Sequence, residues 1–324
     1  MENIKRVLLT GAAGFVGSHV LRHLMDNTNW DVVCLIKLSE AGDANRLVDF
    51  QNNPRVSFVY HDLKYEFHQA IREKIGDFDC VLHLAANSNV DRSISYPREF
   101  FEDNVMGTVN LLEFVRSYHP KARLINFGTD EVFGAASEDY KFKEDDRFRP
   151  SNPYSGAKAG QMMAGYSYFV TYGLDIITTF TMNIFGTGQA PTKIIPKAIK
   201  FAKERKPMPV FAELNDEDKL VGVGSRHWLE VSNVGDALLF LIKNGVKGEF
   251  YNIVGTEEFT NEDVVKTINK LLGTEPLIEF VDFHKTRPGH DRRYAIDGTK
   301  MKNLGWEPKV KFEEGIKNVI ESEK

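Results

Sequence analysis

Short, continuously apolar runs alternate with helical patterns along the first half of the chain. The helical patterns, in which apolar residues recur every three or four positions, are clearest at 15–25 and 99–118. Strands that are apolar on both faces are typical of parallel sheets covered by helices on both sides. The pattern therefore predicts an α/β fold with a doubly wound parallel sheet. Its strands are expected at residues 6–10, 31–37, 56–60, 79–85, 123–127 and 174–182.

The pattern loosens after about residue 184, where prolines and a charged stretch at 213–219 predict loops. A helical pattern at 231–244 and an apolar run at 249–254 then resemble the first half again. We therefore expect the chain to return to its first domain before it ends. The predicted bounds are 1–183 plus about 228–256 for the α/β domain, and 184–227 and 257–324 for a smaller, partly discontinuous α+β domain.

Amino-acid composition argues against several classes of protein and several kinds of partner. The 324 residues include 41 Lys and Arg against 46 Asp and Glu, a net charge of −5, so no basic excess favours DNA or RNA as a partner. Two cysteines in a chain of this length argue against a disulfide framework and favour a cytoplasmic setting. The apolar start at 7–17 is too short and too rich in glycine to span a membrane. We expect neither a membrane partner nor a metal site.

A glycine-rich turn, Gly11, Gly14 and Gly17, joins the first strand to the first helix. In Rossmann-type domains such glycines allow a tight turn, close approach of the backbone to a pyrophosphate, and close helix packing. The phosphates then lie at the helix N-terminus, here Phe15 and Val16. Packing alone is the alternative reason for such glycines, but their position after the first strand favours dinucleotide binding. We expect the first domain to bind NAD or NADP.

Two further strand ends would meet the adenosine half of that cofactor. An acid after the second strand usually binds a ribose 2′-hydroxyl, whereas a basic residue there accepts a 2′-phosphate. Here the strand ends in Ile36 and Lys37, so Lys37 either faces a phosphate or is a solvated lysine. Asp62 and Leu63 close the third strand and are placed to meet the adenine. The sequence therefore leaves NAD and NADP open.

Tyr154 and Lys158 are four residues apart in a predicted helix and therefore lie on one face. An ammonium beside a phenol favours the phenolate, the form that takes a proton from a sugar hydroxyl near neutral pH. A Tyr–Lys pair on a solvated helix surface is the alternative. Because the glycine turn lies upstream in the same chain, we expect both residues to contact the cofactor and to take part in catalysis.

Two adjacent carboxylates follow the fifth strand, in the triplet Thr129-Asp130-Glu131. Ligands of open α/β sheets bind at the carboxyl ends of the strands, so these acids are placed at the predicted crevice. Paired acids in an active site usually have separate proton-transfer roles, because their surroundings keep one protonated and the other ionised. A solvated turn is the alternative, and the apolar strand that precedes the triplet makes it the weaker one.

Together these segments resemble the nucleotide-sugar 4,6-dehydratases, a group of the extended short-chain dehydrogenases and reductases. The similarity is greatest to the dTDP-glucose 4,6-dehydratases and runs in order from Arg6 to about Ile320. Its most specific parts are the Thr-Asp-Glu triplet and the segment 287–297. The segments that carry it are GAAGFVGSH, HLAANSNVDRSI, FEDNVMGT, GTDEVFG, NPYSGAKAG, KIIP, SRHWLEV and RPGHDRRYAID.

The resemblance implies a dehydration without net oxidation, on a hexose linked to a nucleoside diphosphate. Tyr154, helped by Lys158, would take the proton of the C4 hydroxyl that Thr129 holds, while a hydride passes to a tightly bound nicotinamide. Glu131 would then take the C5 proton, and Asp130, as a neutral acid, would protonate the leaving C6 hydroxyl. Return of the hydride to C6 gives a 4-keto-6-deoxy sugar.

The resemblance also implies binding residues and a protein partner. Cofactor contacts are implied for Leu84, Ala85, Ala86 and Asn104. A second copy of the chain is implied as the partner, through a bundle of the helices at 99–118 and 154–172. Two of the implied substrate residues have simpler explanations, because Asn261 is placed to cap a helix and Lys193 to be solvated. The substrate residues are Ser88, Asn183, Lys193, Arg226, Asn261, Arg287 and His290.

Four positions depart from the family pattern. Ile36 replaces an acid after the second strand, Gly128 a serine, Asn87 an acid and His227 an aspartate. Because these changes surround the sugar and the cofactor ribose, the hexose stays open. A 4-epimerase or decarboxylase of the same superfamily and a non-catalytic dinucleotide sensor are the alternative functions. Asp130 argues against the two enzymes, and the complete catalytic set argues against the sensor.

Overall fold

A computed structural model describes residues 4–39, 42–214, 219–282 and 293–323. A seven-stranded sheet forms its centre, and all of the pairings in this sheet are parallel. The strands are β1 Arg6–Thr10, β2 Asp31–Ile36, β3 Val56–Tyr60, β4 Cys80–His83, β5 Arg123–Thr129, β6 Ile176–Thr181 and β12 Phe250–Ile253. Their order across the sheet is β3-β2-β1-β4-β5-β6-β12. This is the Rossmann order extended by one strand, so the predicted doubly wound sheet is confirmed.

Helices cover both faces of the sheet because its central strands are apolar on both sides. All residues of β4, β5 and β6 are buried. One face packs against α1 (Phe15–Asn27) and α8 (Val231–Asn244), and the opposite face packs against α2 (Gln69–Ile75) and α5 (Gly107–Tyr118). Further helices around the sheet are α6 Pro153–Tyr172 and α10 Thr299–Leu304.

The helix expected over residues 99–118 is not continuous. Helices α3 Val90–Ser95 and α4 Pro97–Phe101 come first, and a π-helical turn at Glu102–Met106 then joins α4 to α5. π-Helical turns inside longer helices are frequent at functional sites. This turn carries Asp103 and Asn104, which both bond to groups at the strand ends.

The remaining elements pack around a separate apolar cluster. Within the described residues they form three small sheets: β7 Ile184–Phe185 with β11 Leu229–Glu230; β10 Ser225–His227 with β13 Glu258–Thr260; and β8 Met208–Leu214 between β14 Ile278–Asp282 and β9 Leu220–Gly222. Their helices are α7 Ile194–Lys203, α9 Asn261–Leu272 and α11 Phe312–Ser322.

Two expectations about the second half have different outcomes. The loop expected at 213–219 is wrong at its start, because Glu213 lies in β8 and pairs with Val221 of β9 in an antiparallel hairpin. The chain does return to the main sheet, where β12 pairs with β6 over Phe250–Ile253. The exact bounds of the two domains stay a prediction.

Helix α6 has well-defined ends. At its start, Asn152 Oδ1 accepts a hydrogen bond from the Ser155 amide at 2.9 Å, and Ser155 Oγ accepts one from the Asn152 amide at 3.2 Å. At its end, Gly173 adopts a left-handed conformation with φ 70°. This start places Tyr154 in the first turn of α6 and Lys158 one turn later.

The structure also describes both cysteines, the apolar character of the helices and the groups of side chains that could bind a metal ion. Cys34 and Cys80 are free and buried, and burial raises the pKa of both thiols to about 12. Across the described residues, no helix is both long enough and apolar enough to cross a bilayer. The same residues contain no group of three His, Cys, Asp or Glu side chains placed to hold a metal ion.

Candidate active site

The glycine turn lies between β1 and α1. Gly11 has φ +77°, and a Cβ there would lie 2.8 Å from the Ala85 amide nitrogen, after β4. A Cβ on Gly17 would lie 2.1 Å from the Gly11 carbonyl oxygen. Gly14 is the N-cap of α1 and has no side chain to bond the amides that follow it, those of Phe15 and Val16. The turn therefore has the close packing and the open helix N-terminus that a pyrophosphate requires.

The loop after β4 is attached to its neighbours by side-chain hydrogen bonds. The Ala85 amide donates to Thr10 Oγ1 at 3.1 Å. Asn104, which is fully buried, accepts from the Asn87 amide at 2.7 Å and donates to the Asn87 carbonyl at 3.0 Å. Asn104 therefore holds the backbone that follows Leu84, Ala85 and Ala86, and its contact with a cofactor stays a prediction.

A cluster of four charges lies where β2 and β3 end. Lys37 Nζ is 2.9 Å from Asp62 Oδ2 and 3.3 Å from Asp103 Oδ1. Lys64 Nζ approaches the same two carboxylates, at 4.0 and 3.7 Å. Lys37 is therefore an exposed lysine paired with two carboxylates, and its contact with a cofactor stays a prediction. Asp103 could not be expected there from the sequence, because it comes from the π-helical turn. Leu63, next to Asp62, is buried.

The Thr129-Asp130-Glu131 triplet begins at the end of β5 and continues as a single 3₁₀ turn, Asp130–Phe133. Thr129 Oγ1 donates to Asp130 Oδ1 at 3.1 Å. Asp130 is only 3% exposed, and its Oδ2 has no hydrogen-bond partner among the described residues. Burial, with the neighbouring Glu131, raises the Asp130 pKa to about 7. A pKa near 7 keeps a large share of Asp130 protonated at neutral pH, while its role as the neutral acid stays a prediction.

Tyr154 is buried beside this triplet and is hydrogen-bonded to Thr129. Burial, together with the charges of Glu131 and Asp130, raises the pKa of its phenol well above the usual value. The sequence-based expectation was the opposite, a phenolate favoured by Lys158. In this structure the surroundings of Tyr154 hold the phenol protonated.

Lys158 is bonded away from the phenol. Its Nζ donates to the Phe127 carbonyl at 2.6 Å and to Gln161 Oε1 at 2.7 Å, and the side chain is almost completely buried. Burial lowers the pKa of its ammonium to about 7. The Lys158 ammonium is therefore held by the Phe127 carbonyl and Gln161, and its expected interaction with the Tyr154 phenol stays a prediction.

Arg226, on β10, is a predicted substrate residue whose charge acts on one acid of the pair. Its charge lowers the pKa of Asp130, against the effect of burial. Its guanidinium lies 4.4 Å from the centre of the Tyr294 ring and donates to the Ser225 carbonyl at 2.6 Å. An arginine stacked on an aromatic ring is a common arrangement for binding phosphate oxygens.

A second group of charged residues lies next to Arg226. Lys141 Nζ donates to His227 Nε2 at 3.2 Å, and burial with the charge of Lys141 lowers the His227 pKa to about 4. Glu258 receives two hydrogen bonds from Arg293, at 2.7 and 2.9 Å, and its pKa falls to about 2. Sequence reasoning missed Lys141, Glu258 and Arg293. The only available signal was the position of Arg293 in the RRYAID segment.

The other predicted substrate residues are more dispersed. Ser88, Asn183 and Lys193 are exposed; Ser88 lies in the loop between β4 and α3, Asn183 directly before β7 and Lys193 directly before α7. Asn261 donates from its side chain to the Val223 carbonyl at 3.2 Å, while Thr260 rather than Asn261 caps helix α9. The alternative of Asn261 as the helix cap is therefore wrong. Arg287 and His290 lie outside the described residues.

The chain is similar to a known protein family over almost its whole length. The family model described as GDP-mannose 4,6 dehydratase matches residues 8–319. The chain belongs to this family of nucleotide-sugar dehydratases, within the extended short-chain dehydrogenases and reductases. The family resemblance stated from the motifs is therefore confirmed, and with it the assignment as an NAD(P)-dependent enzyme.

Curated relatives and solved structures cover almost the whole chain. The low-salt glycan biosynthesis protein Agl12 of Haloferax volcanii is 39% identical over 97% of both chains. A dTDP-glucose 4,6-dehydratase of Neisseria meningitidis is 38% identical over 98% of this chain and 93% of that protein. The crystal structure of DesIV, a dTDP-glucose 4,6-dehydratase from Streptomyces venezuelae with NAD and TYD bound, is 30% identical. It covers 98% of this chain and 96% of its own, with a TM-score of 0.88.

Proposed function

We propose that this dehydratase converts a nucleoside-diphosphate hexose, with dTDP-glucose the first substrate to test, into the 4-keto-6-deoxy sugar. The observation that carries the proposal is the unequal pair of acids after β5. Asp130 is buried with a pKa raised to about 7, next to the more exposed Glu131. A neutral acid beside a second carboxylate provides the two proton-transfer groups that loss of water requires. Relatives named dTDP-glucose 4,6-dehydratase support the choice of substrate.

The first domain has the features that a dinucleotide needs. Gly11, Gly14 and Gly17 leave room at the N-terminus of α1, where a pyrophosphate would bind the amides of Phe15 and Val16. When bound, the nicotinamide supplies reversible hydride storage, which allows oxidation at C4 and reduction at C6 without net redox change.

In the first half of the reaction the chain must hold the C4 hydroxyl and remove its proton. We assign the holding to Thr129 and the proton removal to Tyr154, which are hydrogen-bonded to each other. Because burial and the neighbouring acids favour the phenol, Tyr154 becomes a base only when a positive charge approaches it. We assign that charge to Lys158, one turn along α6.

In the second half Glu131 takes the C5 proton, which the new 4-keto group has made acidic. Asp130 gives its proton to the C6 hydroxyl as the C–O bond breaks. The Asp130 Oδ2 atom fits this role because it is buried and has no hydrogen-bond partner among the described residues. Arg226 lies nearby and is placed to bind the diphosphate.

We propose NAD rather than NADP as the resident cofactor. Lys37 and Lys64 are both paired with Asp62 and Asp103, so the four charges at the strand ends sum to zero. A 2′-phosphate would have to approach two carboxylates whose countercharges are already in use. The related structures that contain NAD support this choice.

We further propose that two copies of the chain associate through α5, α6 and the turns before α5. Large apolar side chains on these elements are exposed, among them Met106, Met163 and Val170 at 51%, 41% and 62%. Exposed apolar surface of this kind is typical of an interface between proteins. A cytoplasmic location remains part of the proposal.

The test is to incubate the purified protein with dTDP-glucose, UDP-glucose and UDP-N-acetylglucosamine and to measure the alkali-induced absorbance of a 4-keto sugar. We expect a keto product from at least one of them, with dTDP-glucose turned over fastest. A 4-epimer without any keto product would instead identify an epimerase. No change in any nucleotide hexose would contradict the proposed reaction.

The acid pair can be tested with Asp130→Asn, which keeps the shape but cannot donate the proton. We expect product formation to fall at least about 100-fold, while reduced nicotinamide still accumulates because C4 oxidation does not use Asp130. Asp145→Asn, on the exposed loop before α6, is the matched control and should behave as wild type. Unimpaired turnover by Asp130→Asn would remove Asp130 from its assigned role.

A further inference from the structure

A chain of buried amide side chains lies behind Lys158. Lys158 Nζ donates to Gln161 Oε1 at 2.7 Å, and Gln161 Nε2 donates to Asn126 Oδ1 at 2.9 Å. Asn126 Nδ2 donates in turn to the Gln161 carbonyl at 3.2 Å. Gln161 and Asn126 are both fully buried. These hydrogen bonds join helix α6 to strand β5 directly behind the Lys158 amine.

The direction of these hydrogen bonds is determined by the backbone. The Gln161 carbonyl can only accept, so Asn126 must turn its NH₂ group toward it and its oxygen toward Gln161 Nε2. Gln161 is then left with only its oxygen to present to Lys158. The amide chain therefore offers an acceptor to the amine, which favours the protonated form.

A glycine further along the helix makes room for this arrangement. A Cβ on Gly165 would lie 2.7 Å from Asn126 Nδ2, too close for a real contact. Tyr154, Lys158, Gln161 and Gly165 are spaced by four, three and four residues and therefore share one face of α6. The face that carries the catalytic pair is also built to accommodate the amide chain.

We propose that Gln161, oriented by Asn126 in the space left by Gly165, is a positioning residue that keeps the Lys158 amine charged and correctly aimed. Two N–H donors of the ammonium bind Phe127 and Gln161, which leaves the third for the cofactor or the Tyr154 phenol. This inference rests on the proposed function only for what Lys158 does. The acceptor that the amide chain offers opposes the effect of burial, which lowers the pKa of this amine to about 7.

The titratable groups around Lys158 allow a clear measurement. Burial and the charge of Lys158 lower the pKa of His83, on β4, to about 3, so His83 stays neutral near pH 7. Tyr154, on the same helix, titrates well above the usual range for tyrosine. Asp130 and Glu131, after β5, act on Tyr154, and the Asp130 pKa of about 7 would affect an activity profile. The pKa of Lys158 must therefore be measured from the NMR signal of Lys158 itself.

The experiment is an NMR titration of the protein with its resident cofactor, labelled with ¹³Cε-lysine, in which Lys158→Met assigns the signal. Gln161→Met, which removes the acceptor at similar volume, should lower the Lys158 pKa by about one unit, and Gln161→Glu should raise it by at least as much. Gly165→Ala, which pushes on Asn126, should lower the pKa by less than Gln161→Met does. Met162→Leu, a buried neighbour on α6, is the packing control and should leave the pKa unchanged.

A Lys158 pKa that is the same in wild type, Gln161→Met and Gln161→Glu would overturn the proposal. If Gln161→Met does not fold, Gln161→Glu and Gly165→Ala still give shifts of opposite sign, and failure to do so would be equally decisive. The titration needs no sugar substrate. Failure of the proposed dehydration would show only in the product assay, so the two outcomes are distinguishable.

Discussion

At the scale of one residue, Asp130 occupies a position where the charged form of its carboxyl group lowers the stability of the folded protein. The carboxyl group is buried at the end of an apolar strand and lies next to Glu131, and both features oppose its ionisation. A solvated aspartate avoids this penalty at neutral pH. The residue is therefore stabilised in the form that donates a proton, at a cost to folding when the pH rises.

The sign of that cost follows from the pKa. Because the folded pKa, about 7, lies above the unfolded value of 3.8, the folded state binds more protons between these limits, and stability falls as the pH rises through them. Asp130→Asn removes this effect. We expect its free energy of unfolding relative to wild type to increase from about pH 4 to pH 7, by about 2 to 4 kcal/mol, and to stay level above.

Urea unfolding of both proteins at several pH values measures this difference. Asp145→Asn, an exposed aspartate, serves as the control, and its difference from wild type should not depend on pH in that window. If the Asp130→Asn difference is also independent of pH, the carboxyl group is not held protonated in the folded protein.

At the scale of elements, the proposed preference for NAD depends on where three segments place their charged side chains. Strand β2 brings Lys37, the segment after β3 brings Asp62 and Lys64, and the π-helical turn brings Asp103. A regular helix through residues 102–106 would place the Asp103 side chain differently, since a π turn adds one residue to the turn. The extra residue therefore contributes to the charge balance at the ribose end of the predicted site.

We predict that wild-type protein releases NAD, not NADP, when it is denatured, as measured by the mass of the released cofactor. Asp103→Asn should weaken the pairing of Lys37 and shift the ratio of affinities toward NADP by about three- to tenfold, because one partly exposed charge is lost. Asp91→Asn, an exposed acid on α3, is the control. Release of NADP from wild type would contradict the assignment.

A structural feature could be predicted from the sequence where it depends only on residues close to it along the chain. Strands β1 and β3 and helix α8 have the predicted bounds, because each follows from its own apolar periodicity. The Asp103–Lys37 pair and the Gln161–Asn126 chain joined to Lys158 link residues that are 66 and 35 positions apart. Such pairs depend on how the elements pack together, which no periodicity contains. The same holds for the direction of Lys158, which points to β5 rather than to Tyr154.

At the scale of the whole molecule, apolar side chains remain uncovered on one set of helices. The sheet buries its own apolar residues on both faces, so the exposed Phe101, Met106, Met163 and Val170 are not needed for that core. A stable interface between proteins buries about 1,200 Å² or more and has an apolar centre. A second copy of the chain would cover these side chains symmetrically.

We therefore predict that wild-type protein has twice the 36.8 kDa mass of the chain when measured by light scattering during gel filtration. Val170→Glu, at a position that is 62% exposed, should give mainly single chains, because a charge buried in an apolar interface is left without a partner. Val246→Glu, at 55% exposure on the loop after α8, should remain a pair. Equal masses for the two variants would place the interface elsewhere. A single-chain mass for wild type would contradict the proposed association of two copies.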